Sequence, residues 1–220
     1  MSFIVNGMPK QIHPDLVAKC ERAETATIGH KRILGFARPE ISWIAGSRRI
    51  AGTAVTLAIP AQDSTILHHA VQFLRSDDVL VIDRLGDSMH ACLGGGVACA
   101  IKESGCSGVI LDGPCTDLGE IREFNLPVWC SGVSPITTRL HGTAGAMNVP
   151  VCCGGAAVLP GYGVIADECG ALFIPPQDLE SDVDWALGYQ SREPALHAKL
   201  RSGAKLGELS GASKLVEIKS

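Results

Sequence analysis

Strands and helices alternate through the middle of this chain, and that alternation limits its fold more than any other feature. DDVLVID (77–83), GVILDG (108–113) and LPVWCSG (126–132) are short apolar runs bounded by charge, proline or glycine, and they read as buried strands. Between them VACAIKES (97–104) and TDLGEIREF (116–124) read as helices. Strand, helix, strand, helix, strand at this spacing calls for parallel crossovers, because a tight hairpin delivers only an antiparallel neighbour. Upstream, GTAVTLAI (52–59) reads as a strand and residues 63–75 as a helix, with Asp63 or Ser64 at its N-cap. Residues 14–34 read as helical up to the break at Gly35. From 149 onward, VPVCCGGAAVLPGYGVIADECGALFIP consists of short strands separated by Gly and Pro turns, with no room for helices. Residues 178–202 return to helix, and a polar tail runs to Ser220. The expected architecture is α/β: a parallel βαβ core, a second β layer and terminal helices. No linker, repeat or low-complexity segment divides the chain, so 1–220 is expected to form one domain.

Composition narrows the function classes. With 46% hydrophobic and 19% charged residues, the chain is a packed globular protein rather than a disordered one. The net charge of -4 and the lack of a basic run argue against direct nucleic-acid binding. The N-terminal MSFIVNGMPKQIHPDL has no basic segment followed by an apolar one, and no apolar stretch approaches a membrane span. The expectation is a cytoplasmic protein with no membrane contact. Its nine cysteines form no CxxC pair. Cys92, Cys99 and Cys106, seven apart, suggest a stripe on one helix face, and buried thiols in a reducing compartment explain them better than a thiol site.

In open α/β sheets ligands bind beyond the carboxyl ends of the strands. Three such loops carry polar residues: 82–96, 111–120 and 131–135. Gly94, Gly95 and Gly96 open a helix, where unpaired N–H groups attract anions and glycine allows close approach. Three glycines in a row exceed what a tight turn needs, and they do not form a GxGxxG dinucleotide fingerprint. Asp117 and Glu120, three apart, share a face in a first helical turn, where acids also suit the helix dipole. With Asp112 near the same strand end and Asp83 and Asp87 near the neighbouring one, four aspartates converge on one edge. Such an edge suits Mg²⁺, which takes a few carboxylates and keeps several waters.

The block VLVIDRLGDSMHACLGGGVACAIKESGCSGVILDGPCTDLGEI resembles the central block of the RraA-like / 4-hydroxy-4-methyl-2-oxoglutarate aldolase family. That family typically has a VLVVD strand, a glycine loop and GVVxDGxxRDxxEI. Its aldolase motif, a glycine followed after twenty residues by R-D-x2-E/D, is filled here by Gly95, Thr116, Asp117 and Glu120. PVWCSGVSP is similar to the family's PVFARGVSP, and NVPVCCGGAAVLPGYGVIADECGALFIPP to its NVPVxxGGxxVxPGDxVxADxDGVVxxP. The resemblance implies a swivelling β/β/α sandwich, a homotrimer or dimer of trimers, and active sites between subunits. It implies Mg²⁺ or Mn²⁺ on Asp117, with Asp112 and Glu120 nearby, and a substrate site of Gly94, Gly95, Gly96, Val97 and Thr116. It implies cleavage of 4-hydroxy-2-oxo acids to pyruvate, with oxaloacetate decarboxylation as a side activity. A neighbouring subunit's carboxylate, assigned here to Glu193, would order water.

The departures bear on substrate. The motif arginine that pairs with the pyruvate carboxylate is Thr116, which cannot make a bidentate charged contact. Gly95 supplies no acid where some members have one. The family's PGD is Pro160, Gly161 and Tyr162, and an N-terminal serine-aspartate pair falls on Gly29 and His30. Arg84, where the family usually has glycine, has two readings: a guanidinium reaching the substrate carboxylate from the other side, or a solvated surface arginine. His90 reads as a helix-surface histidine rather than a proton carrier, and Cys115 as a packed thiol rather than a nucleophile. The leading expectation is a metal-dependent C–C lyase on a small 2-oxo or hydroxy acid, with altered substrate preference. The alternatives are a non-catalytic RraA-type regulator of RNA processing, or hydration or isomerisation of a small acid. Retention of Asp117, Glu120 and the glycine loop favours an enzyme.

Overall fold

A computed structural model describes residues 2–218. Its central strand is β3 (Ile50–Ala58), whose alternating residues serve two faces. Val55 and Leu57 point into one core, and Ile50 and Ala54 into another. Along one edge β3 pairs in parallel with β4 (Asp78–Asp83), followed in parallel by β5 (Gly108–Cys115) and β6 (Val128–Val133). The helices of the crossovers are α3 (Thr65–Val71), α4 (Gly95–Glu103) and α5 (Leu118–Glu123). They cover the face to which Leu80, Ile82, Val109 and Leu111 point. This is the parallel core expected from the apolar runs. β5 continues two residues further than expected, to Cys115, and α4 begins two residues earlier, at Gly95.

Antiparallel strands complete the sheet. β2 (Ser42–Ala45) pairs with β6, β7 (Gly145–Met147) with the far end of β3, and β1 (Phe3–Val5) in parallel with β7. The segment after 149 is β-rich as expected, but it divides. β8 (Val151–Cys153) and β9 (Ala156–Val158) form a separate hairpin over the second face. β10 (Gly163–Asp167) and β11 (Gly170–Ile174) form another, whose β10 pairs with the start of β3 in the main sheet. Ile110, Val79 and Val81 pack under the first hairpin with Cys153 and Val158.

The terminal helices depart from expectation. The stretch 14–34 is two short helices, α1 (Pro14–Cys20) and α2 (Thr25–Ile28). The second begins where the Asp167 carboxylate accepts from the Thr25 N–H (2.8 Å) and hydroxyl (2.6 Å), a long-range partner that local spacing cannot announce. α6 (Pro176–Gln190) packs on them, and Asp182 is paired with Lys31 (2.9 Å) and Arg32 (2.7 Å). α7 (Glu193–Arg201) follows, and the polar tail folds into α8 (Leu206–Ser210) and α9 (Ala212–Glu217). The cysteine stripe is not one helix face. Cys99 alone lies in α4, while Cys92 precedes it and Cys106 follows it, both buried. Among the described residues no helix is long and apolar enough to cross a membrane.

Candidate functional site

The site forms where β5 ends. Leu93 bridges to Cys115, and the Thr116 N–H donates to the Leu93 carbonyl (2.8 Å), which fastens the glycine loop to the strand end. Asp117 then takes φ 50°, the left-handed conformation that Asp tolerates better than most residues, and starts α5. The turn swings its carboxylate back over the start of α4, where the Gly95 N–H donates to Asp117 Oδ2 (2.9 Å). A Cβ on Gly94 would lie 2.7 Å from that oxygen, and one on Gly95 would lie 1.6 Å from Glu120 Oε2. The two glycines are therefore the seat on which both carboxylates rest.

Asp117 and Thr116 separate two concavities. One, of about 250 Å³, is also lined by Gly94, Gly95, Gly96 and Val97, by His68 of α3 and by Thr137. The other runs between Thr116, Asp117 and the β6 end at Val133 and Ser134. Helix α4 presents its first-turn N–H groups to the first of these pockets, a local positive pole for an anion. Asp117 and Glu120 are exposed, with carboxylate lone pairs to spare.

The expected fourfold convergence of aspartates does not form. Side chains alternate along β5, so Leu111 faces the helices while Asp112 faces the β8–β9 hairpin. Asp112 accepts from the Gly154 N–H (2.8 Å) and lies 3.7 Å from Arg38. Its register partner Asp83 accepts from the Cys152 N–H (3.0 Å) and the Leu85 N–H (2.6 Å). Asp87 is held by Arg84, by His90 Nδ1 (2.9 Å) and by the Met89 and His90 amides. Burial pushes its carboxyl up, but these donors and the Arg84 charge reverse the balance and leave it lowered. Asp112 is thus not beside Asp117 and Glu120, because it leaves the strand on the opposite face.

Arg84 matches neither expected reading. It is fully buried, with Nη1 donating to the Ile59 carbonyl (3.3 Å) and Nη2 to the Ala61 carbonyl and to Asp87 Oδ2 (3.0 Å). Its stem lies on Gly113, whose missing Cβ would be 2.5 Å from Arg84 Cγ. The side chain braces the loop after β4 and does not line either pocket. His90 sits in that loop rather than on a helix, turned to Asp87. Cys115 is buried against Cys130, with sulfurs 3.7 Å apart, and this contact and burial push its thiol well up, so it packs rather than attacks. Glu193, at the start of α7, lines neither pocket of its own chain. His30 stacks on Tyr189 at 5.3 Å. Sequence reasoning did not single out His68 or Thr137 as site residues. His68 stands one helical turn after Ser64, which lines the same pocket, but which helix face meets the pocket is decided by tertiary packing.

The model of the RraA-like family, described as aldolase/RraA, matches residues 25–173. A putative 4-hydroxy-4-methyl-2-oxoglutarate aldolase of Halalkalibacterium halodurans is 29% identical over 147 residues, 67% of this chain and 70% of that protein. The 4-hydroxy-4-methyl-2-oxoglutarate aldolase of Thermus thermophilus is 32% identical over 130 residues, 59% of this chain and 78% of that protein. Among solved structures, Streptomyces coelicolor RraAS2, described as an unusual member of the RNase ES inhibitor RraA family, matches with TM-score 0.75 and 28% identity over 86% of this chain and 98% of that one. The RNA-processing inhibitor RraA of Thermus thermophilus matches with TM-score 0.64 and 30% identity over 70% and 93%.

Proposed function

The chain belongs to the RraA-like family, and from that premise we propose that it is a divalent-metal-dependent C–C lyase acting on a small 2-oxo or hydroxy acid. The observation that carries this reading is the Asp117 carboxylate, oriented by the Gly95 N–H at the rim of a pocket that also holds a helix N-terminus. The donor set fits Mg²⁺ or Mn²⁺. Asp117 offers a fixed, exposed hard oxygen donor and Glu120 a second one nearby, and a hard ion that keeps most of its waters needs few protein ligands. Among the described residues no three His, Cys, Asp or Glu side chains group to hold a metal ion, so Asp117, Glu120 and water would be the donors. When bound, the ion supplies Lewis-acid stabilisation of the charge that develops on the 2-oxo group as the C–C bond breaks.

The chain's own residues do the rest. Gly94, Gly95 and Gly96 let a carboxylate approach the N–H groups of α4 without a side chain in the way. The Thr116 hydroxyl, 3.4 Å from Asp117 Oδ1, helps hold that carboxylate but brings no charge to a substrate. Substrate preference therefore shifts away from that of an arginine-bearing site. The proposed assembly is a homotrimer or dimer of trimers, in which Glu193 reaches a neighbour's site. The exposed Leu85, Met89, Val133 and Ile136, on or next to the loops around the pocket, are apolar surface that such an assembly covers.

A pyruvate-release assay with Mg²⁺ or Mn²⁺ on 4-hydroxy-4-methyl-2-oxoglutarate and oxaloacetate tests this reading. Turnover that needs the ion and disappears in Asp117→Asn is expected. No release from either acid, with metal still bound, would turn the reading towards a regulator of RNA processing, as the likeness to RraA proteins and the uncharged Thr116 would then suggest.

A further inference from the structure

The α4 N–H groups can receive an anion, but beside two carboxylates a 2-oxo acid's own carboxylate is held more tightly where a positive charge also faces it. Thr116 supplies none, and Arg84 spends its guanidinium on Ile59, Ala61 and Asp87. No arginine or lysine lines the pocket at the glycine loop among the described residues, and His68 is the one lining side chain there able to carry a full positive charge. His68 projects from α3 on the side of the pocket shared with Ser64, while Asp117 and the glycine loop belong to the β5 end and α4. It is exposed, and its ring takes no hydrogen bond or ion pair among the described residues. The neighbouring His69 differs: its Nδ1 lies 3.2 Å from Gln72 Nε2 and its ring is 5.2 Å from Phe73.

We propose that His68 binds the substrate carboxylate and sets substrate preference at this site, supplying when protonated the charge that Thr116 cannot. The assignment deepens the lyase reading above and rests on it. Histidine is the side chain whose charge changes between about pH 5 and 8, so an anion bound this way is held more tightly at the acid end of that range. The ionisable groups that share the pocket with His68 are Asp117 and Cys92. Burial pushes the Cys92 thiol up to about 11, so it stays neutral over this range. Two other elements, β7 and α4, pack on α3. β7 (Gly145–Met147) has no titratable residue, and the titratable Cys99, Lys102 and Glu103 of α4 lie beyond its glycine-rich start. The Asp63 carboxylate before α3 is taken up by donors from Thr65, His141 and Thr143. On the segment 139–143, the Arg139 carbonyl accepts from the Ser64 N–H, the His141 and Thr143 N–H groups donate to Asp63, and the Gly142 N–H donates to Thr65 Oγ1.

The test is calorimetric binding of oxalate and pyruvate to the Mg²⁺-loaded protein at pH 6 and pH 8, in wild type, His68→Gln and His68→Arg. Wild type should bind at least about tenfold more tightly at pH 6 than at pH 8, the effect of one charged hydrogen bond. His68→Gln should bind weakly at both values and His68→Arg tightly at both. Because the readout is binding, it is independent of whether either acid is turned over. Equal affinities for wild type and His68→Gln, with no pH dependence, overturn the role of His68 and leave the lyase reading intact. If Mg²⁺-loaded wild type binds neither acid at either pH, the 2-oxo-acid reading falls and the role of His68 with it.

Discussion

Two carboxylate pairs stand at the ends of β4 and β5, and their fates differ. On the hairpin face Asp83 and Asp112 are register partners, and each accepts a backbone N–H of the β8–β9 hairpin. On the helix side Asp117 and Glu120 rest on Gly94 and Gly95, exposed, and among the described residues only the Gly95 N–H and the Thr116 hydroxyl engage Asp117. The first pair ties two β layers together, and the second keeps its oxygens available. The residue types are the same, and strand alternation together with the left-handed turn at Asp117 decides which pair can do chemistry. A carboxylate near a strand end is therefore not evidence for a metal site until the amides opposite it have been counted.

Arg84 offers the largest test of that division, because it belongs to the frame. Arg84→Ala takes the one cation from Asp87, removes a donor from two buried carbonyls and opens a cavity over Gly113. We expect a loss of about 3–5 kcal/mol in urea unfolding, the range seen when one partner of a buried pair is removed. The folded fraction should still bind Mg²⁺. A variant as stable as wild type that no longer binds oxalate would move Arg84 from the frame into the site.

Asp63 should be the next in size. Burial pushes its carboxyl up, and hydrogen bonds from the side chains and amides of Thr65 and Thr143 pull it far down. A depressed folded-state pKa contributes stability that is complete above the unfolded value of about 4 and is lost as pH falls below it. The pH dependence of unfolding should therefore show an acid limb below about pH 4 that flattens in Asp63→Asn, together with lower stability at pH 7. An unchanged acid limb would mean that the loop 139–143 is held by something else.

A smaller effect is expected at the open pair. Thr116 faces both concavities beside Asp117, so Thr116→Arg should strengthen oxalate binding at pH 8 by about ten- to a hundredfold, or 1.5–3 kcal/mol. No gain, with the variant folded and metal bound, would put the substrate carboxylate elsewhere in the pocket.

Much of the frame was legible in the sequence. Apolar runs ending in Asp83, Asp112 or glycine announced the parallel strands, because buried parallel strands read as continuous hydrophobic segments. The motif residues Asp117, Glu120 and Gly95 did come together, through contacts near in sequence or within one crossover. Asp112 was misjudged because its distance along the chain was weighed and its side of the strand was not. Since Leu111 faces the helices, Asp112 had to face away. Arg84 could not be placed from the sequence, because its burial depends on the carbonyls of Ile59 and Ala61 and on the missing side chain of Gly113. His68 was hidden for a related reason: helical spacing shows that it shares a face with Ser64, but only the packing of α3 beside α4 turns that face towards Asp117. The seven-residue cysteine spacing misled because α4 is only Gly95–Glu103, too short to carry all three.

The division between the pairs is tested most directly by measuring Mn²⁺ or Mg²⁺ binding and unfolding free energy together in Asp117→Asn and Asp112→Ala. Asn tolerates the left-handed turn at 117 and can still accept from Gly95, so what is lost is the negative charge and the second oxygen. Asp117→Asn should lose metal binding while keeping stability within about 0.5 kcal/mol. Asp112→Ala should bind metal as wild type does and lose about 1–3 kcal/mol, because the buried Gly154 N–H is left without its acceptor. Metal binding that survives in Asp117→Asn and vanishes in Asp112→Ala would contradict the account, because the hairpin-facing carboxylates would then hold the ion.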